Sequence, residues 1–244
     1  YGISNLAGIE YFKNIKYLNC NYNGISALDF SIFPNLEYID CSNNSFSSLD
    51  VSSLTKLQYL NCGSNQLTNL NVSDLTNLQT IHCYFNKLTN LDVSGLTNLQ
   101  LLYCYNNRFT NLNLSGLTNL INVNCEFNQL SNIDVSDLTS LEHLDLAWNN
   151  LTKLELNDLA KLKYFDCEDN FIIKLDISGL TNLEGFAVGD SYLEELYFKN
   201  GIKDEVSNEK FRIFYDSPIK YVCVDEVDID VFKQMALSSD NGDY

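Results

Sequence analysis

The sequence predicts a repeat solenoid of the α/β type. It would be a right-handed superhelix with a parallel β-sheet on its concave side, a mostly irregular convex side and a short C-terminal α/β cap. Three observations lead there. Cysteine recurs every 21 residues at Cys20, Cys41, Cys62, Cys83, Cys104, Cys125 and Cys167, with Leu146 and Val188 filling the remaining places. Asparagine keeps the same step at Asn23, Asn44, Asn65, Asn86, Asn107, Asn128, Asn149 and Asn170, and yields only at Ser191. Seven apolar columns share that register, as in Leu57, Leu60, Cys62, Leu67, Leu70, Val72 and Leu75.

The unit is LxxLxCxxNxLxxLDVSxLTN, a leucine-rich repeat with cysteine in the third apolar place. About nine such rungs run from Ile15 to Phe198, after an N-terminal half rung, so residues 1–198 form the expected solenoid. Past Phe198 the register fails. KNGIKDEVSNEK reads as a polar loop, FRIFY and IKYVCV as short strands, and VDEVDIDVFKQMAL as a helix with Val227, Val231 and Met235 on one side. Residues 199–237 are therefore expected to cap the last apolar rung, with 238–244 as a disordered tail.

Each rung buries its apolar face only against its neighbours. The segment around Leu60, Asn61 and Cys62 alternates as a short strand does, which points cysteine inward. The asparagine falls where the chain turns out of the strand, where its amide can satisfy backbone groups of its own and the adjacent rung. Metal or disulfide chemistry competes with a plain structural role for the cysteines. A single file of thiols lacks the second arm of a tetrahedral site, and in-register strands about 4.8 Å apart miss disulfide geometry, so buried, inert thiols are expected. A further column holds Asp29, Asp50, Asn71, Asp92, Asn113, Asp134, Glu155 and Asp176, mostly with serine two places on. Calcium is one possibility for it; turn formation through side-chain to backbone bonds is the other, and Asn71 and Asn113 interrupt the charge. No cofactor or metal is predicted. The sequons at Asn71, Asn113 and Asn150 follow from the Asn- and Ser-rich repeat itself.

Fifteen basic residues against 32 acidic ones give a formal charge of -17, which repels phosphate backbones and anionic membranes. Nucleic acid is excluded as an expected partner, and no apolar run approaches the roughly 20 residues of a membrane helix. The informative columns are those that flank the inward leucine and cysteine, because packing does not dictate them. The middle rungs gather His82, Tyr84, Phe85, Tyr103, Tyr105, Phe127 and Trp148 there, followed by Tyr164 and by an acidic group of Glu126, Asp145, Asp166, Glu168 and Asp169. Clustered exposed aromatics beside polar groups mark a binding surface; the alternative is that they merely cover one another. His82, Tyr84, Phe85, Tyr103, Tyr105, Phe127, Trp148 and Tyr164 are the expected anchors, with Asp145, Asp166, Glu168 and Asp169 favouring a basic protein. A glycan stacked on Tyr84, Tyr105 and Trp148 is the second possibility. A third is a glycosidase-like pair of Asp145 and Asp166, about one strand spacing apart. His82 and His143 stand three rungs apart, roughly 15 Å, too far to form one acid–base pair. GxSxG, HExxH, CxxC and phosphate-loop motifs are absent from the sequence, and a non-enzymatic role is expected.

The opening ISNLAGIEYFKNIKYLNCNYNGI, with its Gly8-Ile9 pair, resembles the internalin type of repeat. The LTNLxxLxCxxNxLTNLDVSG units resemble those of secreted or surface leucine-rich-repeat proteins of bacteria, especially of the Bacteroidota kind. SPIKYVCVDEVDIDVFKQM resembles the ending of such proteins, which commonly leads on to export-linked segments. The resemblance implies a secreted or cell-surface protein in adhesion or host interaction, with an extracellular or host protein as partner.

Overall fold

The computed structural model describes residues 2–189, 192–199, 211–213, 218–226, 228–230 and 232–234. Its first sheet stacks β1 (Tyr17–Asn19), β2 (Tyr38–Asp40), β3 (Tyr59–Asn61), β4 (Thr80–His82), β5 (Leu101–Tyr103), β6 (Asn122–Asn124), β7 (His143–Asp145), β8 (Tyr164–Asp166), β10 (Gly185–Ala187) and β12 (Phe211–Arg212). Every pair is parallel, and the 21-residue step is the register itself: Tyr17 lies beside Tyr38, Leu60 beside Ile81, Asn124 beside Asp145. Each strand is only a few residues long because the inward leucine and cysteine need no more than one alternation.

A second, three-stranded sheet lies across the coil, formed by β9 (Lys174–Asp176), β11 (Glu195–Phe198) and β13 (Tyr221–Val224). The convex wall is irregular through the earlier rungs and becomes sheet only here. IIKLDIS, ELYF and YVCV carry the β-branched and aromatic residues that pair as strands, where the earlier rungs have TNLDVS with its turn-forming asparagine. Both ladders cross position 198: β12 pairs with β10 at a spacing of 25 residues (Phe186 to Phe211), and β13 pairs with β11 at 26 (Glu195 to Tyr221). The stretch expected to be a cap thus adds one longer rung. Beyond it residues 229–230 and 232–234 are helical, and Phe232 packs on Phe198, which packs on Phe186. Val227, Val231, Met235 and residues 238–244 lie outside the described residues, and the division into solenoid and cap stands as a proposal.

The core is one continuous column of leucine, isoleucine, valine, phenylalanine and cysteine. The ladder asparagines frame it. In each rung the Nδ2 group donates to carbonyls of its own turn and of the preceding rung, and Oδ1 accepts a backbone N–H from the preceding rung. For Asn107 these are the carbonyls of Cys83 at 3.0 Å, Cys104 at 3.0 Å and Tyr105 at 3.3 Å, and the N–H of Leu88 at 3.0 Å. A second asparagine file runs along the opposite side, where Asn77, Asn98, Asn119 and Asn182 each donate to a carbonyl of the rung before. In the aspartate column the carboxylates of Asp50, Asp92, Asp134 and Asp176 accept the N–H and hydroxyl of the serine two residues on, which is the turn geometry. Among the described residues no group of three or more His, Cys, Asp or Glu side chains is placed to hold a metal ion.

The seven ladder cysteines are free and buried. Cys104 and Cys125 have sulfurs 3.3 Å apart in an S–H···S contact. Burial, with Asp40 adding to it, pushes the Cys20 thiol up to about 11, and burial holds Cys41, Cys62 and Cys83 well above the ordinary thiol range. Because the thiolate is the reactive form, the native protein is expected to react rapidly with an aromatic disulfide reagent at no more than one of its eight cysteines, the half-buried Cys223. All eight should react in denaturant. Several rapidly reacting thiols in the native protein would mean that the rungs open at the ladder.

Candidate functional site

Through the first five rungs the outward columns of the first sheet carry two aromatic groups. Tyr17, Tyr38 and Tyr59 stack face to face at 4.1 and 4.2 Å. His82 ends that row, edge-on to both Tyr59 and Tyr103. It is half-buried, its Nε2 has no hydrogen-bond partner, and burial holds its pKa below the ordinary value. Tyr84 and Tyr105 stack at 4.9 Å with Phe85 edge-on to both. The ring of Tyr84 lies over Gly63, where an added Cβ would stand 2.5 Å from it, so the empty place in that column is what admits the ring. The tyrosines at the centre therefore cover much of one another, and fewer rings stand clear than the sequence suggests.

What stands clear is the column after it. Tyr22, Asn43, Ser64, Phe85, Asn106, Phe127, Trp148 and Asp169 all have left-handed backbone, with φ between 48 and 54°. Phe85, Phe127 and Trp148 are exposed large apolar residues, at 51%, 41% and 49%. A bulky residue in that conformation costs roughly 1–2 kcal/mol, which asparagine and glycine largely avoid. The ladder imposes it: the N–H groups of Phe85 and Trp148 are tied to the carbonyls of Tyr105 and Glu168 in the next rung. The sequence hid this, because only Asn43 and Asn106 in the column signal such a turn. Phe85→Asn is accordingly expected to leave stability unchanged or to raise it by up to about 1 kcal/mol, read as the urea midpoint. A fall of that size would instead make the ring a packing element.

Toward the C-terminal rungs the sheet dips. A depression of about 440 Å³ spans β5, β6, β7, β8, β10 and β12, lined by Tyr103, Asn122, Asn124, His143, Asp145, Tyr164, Asp166 and Arg212, with the backbone of the inward-facing Val123, Leu144, Phe165 and Phe186 between them. It exists because Gly185 and Ala187 occupy the places that carry larger side chains in the preceding rungs. Ala187 also lets Arg212, its strand neighbour, reach across to Asp166 at 3.0 Å and Glu168 at 3.1 Å. Asp145 accepts Asn124 Nδ2 at 2.9 Å and the N–H of Ala147 at 3.1 Å. Burial, then the neighbouring Asp166, pushes the Asp145 carboxyl up to about 7. Burial raises Glu126 and Asp166 as well, with Arg212 opposing the shift at Asp166. Tyr164 stacks on His143 at 4.8 Å and donates its hydroxyl to Glu184 at 2.7 Å. The structure thus gathers Tyr103, Asp145, Tyr164 and Asp166 in one depression with Glu168 held by Arg212, and sets Phe127 and Trp148 apart on the rim. Arg212 went unnoticed in the sequence, because it lies beyond the break in the 21-residue step.

Models of the leucine-rich repeat match residues 13–53, 34–75 and 140–162. The solved structure of the functional domain of InlJ from Listeria monocytogenes, which includes a cysteine ladder, superimposes with a TM-score of 0.67 at 30% identity. The chain is similar to internalin-like leucine-rich-repeat proteins in both repeat and fold. The match covers 93% of the present chain and 52% of the InlJ chain, so the leucine-rich-repeat protein described here spans about half that length. An internalin, InlF, from the same species matches at 20% identity over 98% of this chain and 83% of its own, with a TM-score of 0.66. The leucine-rich-repeat ectodomain of the Arabidopsis thaliana receptor kinase GASSHO1/SCHENGEN3, solved in complex with Casparian strip integrity factor 2, matches at 19% identity over 88% and 31%, with a TM-score of 0.70. These last two likenesses are of fold alone. No curated protein matches the sequence. Among the described residues no helix is long and apolar enough to cross a membrane.

Proposed function

We propose that this leucine-rich-repeat protein is a non-catalytic protein-binding module of the cell surface or extracellular space, acting in adhesion or host interaction through its concave face. The observation that carries the proposal is the depression across β5 to β12, where tyrosine and histidine rings stand beside carboxyl groups. Aromatic anchors ringed by polar groups are what a protein hot spot requires, and a formal charge of -17 favours and steers a basic partner. The fold agrees, since its likenesses include a receptor ectodomain solved with a bound partner. The extracellular setting draws on the internalin-like likeness. Catalysis by Asp145 and Asp166 finds little support: Asp166 is held by Arg212, and the depression opens broadly to water.

The test is an array of extracellular proteins probed with the wild type and with a Tyr103→Ala, Tyr164→Ala variant of equal stability. Binding should vanish in the variant and weaken with added salt, as an acid-steered contact does. Equal binding by both proteins would move the site off the concave sheet.

A further inference from the structure

The chain leaves each strand over a rim beside the concave sheet that shares no lining residue with the depression, and there it forms a second surface. We propose that this rim, centred on Trp148, binds neutral oligosaccharide, independently of the concave protein site. An open groove of about 540 Å³ runs along it, lined among others by Asn106, Arg108, Phe127, Trp148, Asn150 and Phe171. Phe127 and Trp148 are stacked at 5.0 Å and 17°, so each ring hides one face in the other. The next residue in their column is the much smaller Asp169, so the stack ends at Trp148 in a step bordered by Phe171.

A pyranose ring fits that step. Its C–H-bearing face meets the negatively charged face of the indole and continues the stack by one member. Its hydroxyls are donors and acceptors at once, as are the side-chain amides of Asn106 and Asn150. Neither of those amides hydrogen-bonds within the described residues, and Arg108 makes no ion pair among them. Charge points the same way. On a chain of formal charge -17, this groove is lined by one arginine and one aspartate, whereas the concave depression holds one more aspartate than arginine. A neutral ligand suits the rim and a basic one does not. Phe127 and Trp148 also sit in left-handed backbone, a conformation that Asn43 and Asn106 adopt in the same column at less strain.

Trp148 is the sole tryptophan of the chain, so its fluorescence reports on this site directly. The probes are hexasaccharides of β-linked glucose, N-acetylglucosamine and galactose, titrated into the intact protein. At least one series should give a saturable shift in emission. Phe171→Ala and Asn106→Ala should each weaken it about tenfold, equivalent to about 1.4 kcal/mol. The Tyr103→Ala, Tyr164→Ala variant should bind the sugar as the wild type does, which separates this site from the concave one. Trp148→Asn, whose new side chain suits the backbone, should keep its urea midpoint and lose sugar binding by calorimetry. The proposal is overturned if none of the three sugars shifts the emission up to about 10 mM, beyond the millimolar range of weak recognition. It is overturned equally if Trp148→Asn binds unchanged, or if a basic or proline-rich peptide shifts the emission where no sugar does.

Discussion

Asn107→Ala is expected to lower the unfolding free energy by about 3 kcal/mol. The amide of Asn107 serves three carbonyls and one N–H, all in the turn between two rungs, and the residue itself is 9% exposed. Alanine leaves the Leu88 N–H without its acceptor, while the carbonyls of Cys83, Cys104 and Tyr105 each lose one of two donors and keep Asn86, Asn128 and the Phe85 N–H. The orphaned N–H is worth about 2 kcal/mol and the three shared carbonyls together about 1 kcal/mol more. Asn106→Ala, one residue earlier and without these bonds, supplies the comparison. Urea denaturation of the two variants should separate them clearly; equal, small losses would mean that the Leu88 N–H finds another acceptor and that the file of asparagines does not hold the rungs.

The second large effect is on pH. Stability is expected to fall as pH rises from the ordinary carboxylate value of 3.8 to about 7, because Asp145 keeps its proton over that range while the unfolded chain gives its proton up. The folded state then binds more protons than the unfolded one, and the slope of unfolding free energy with pH is negative. Across the window the contribution is about 3 kcal/mol, after allowing for the part of the carboxyl that water reaches. Asp145→Asn should flatten the curve. The replacement turns an acceptor for Asn124 into a donor, which shifts the whole curve by about 1 kcal/mol at every pH, so the slope is the readout. Asp50, Asp92 and Asp134, held below the usual carboxylate range by their serines, act in the opposite sense, losing stability as pH falls. They are unchanged in the variant and drop out of the difference. Parallel curves for the two proteins would show that Asp145 ionises normally.

The period of the sequence carried nearly all of the fold. Once cysteine and asparagine fell into one register, the partner of every strand from β1 to β8 followed, because identical spacing puts identical columns side by side. The role of the asparagine followed too, from the need of a turning backbone for partners. Three things stayed hidden, each for its own reason. The left-handed column was masked by phenylalanine and tryptophan, whose own preferences oppose that backbone. The last rung and the third strand of the second sheet lay past a change of step from 21 to 25 or 26 residues, where the columns no longer align, and the pairing of β9 with β11 on the convex side kept the 21-residue step but lay outside the cysteine column. The mutual stacking of Tyr84 on Tyr105 depended on Gly63, whose significance is a vacancy, and a vacancy has no pattern along a chain.

Coils of this kind usually touch only the coil above and the coil below, so that their ends can fray one coil at a time. Arg212 breaks that rule. It belongs to the tenth strand of the sheet and fastens to carboxylates of the eighth rung, bypassing the ninth through the space above Ala187. The last three coils are thereby tied to one another across the sheet. Loosening the outer end would bare two carboxylates on the inner face at the same moment, making the charge on that face a gauge of whether the far end is closed.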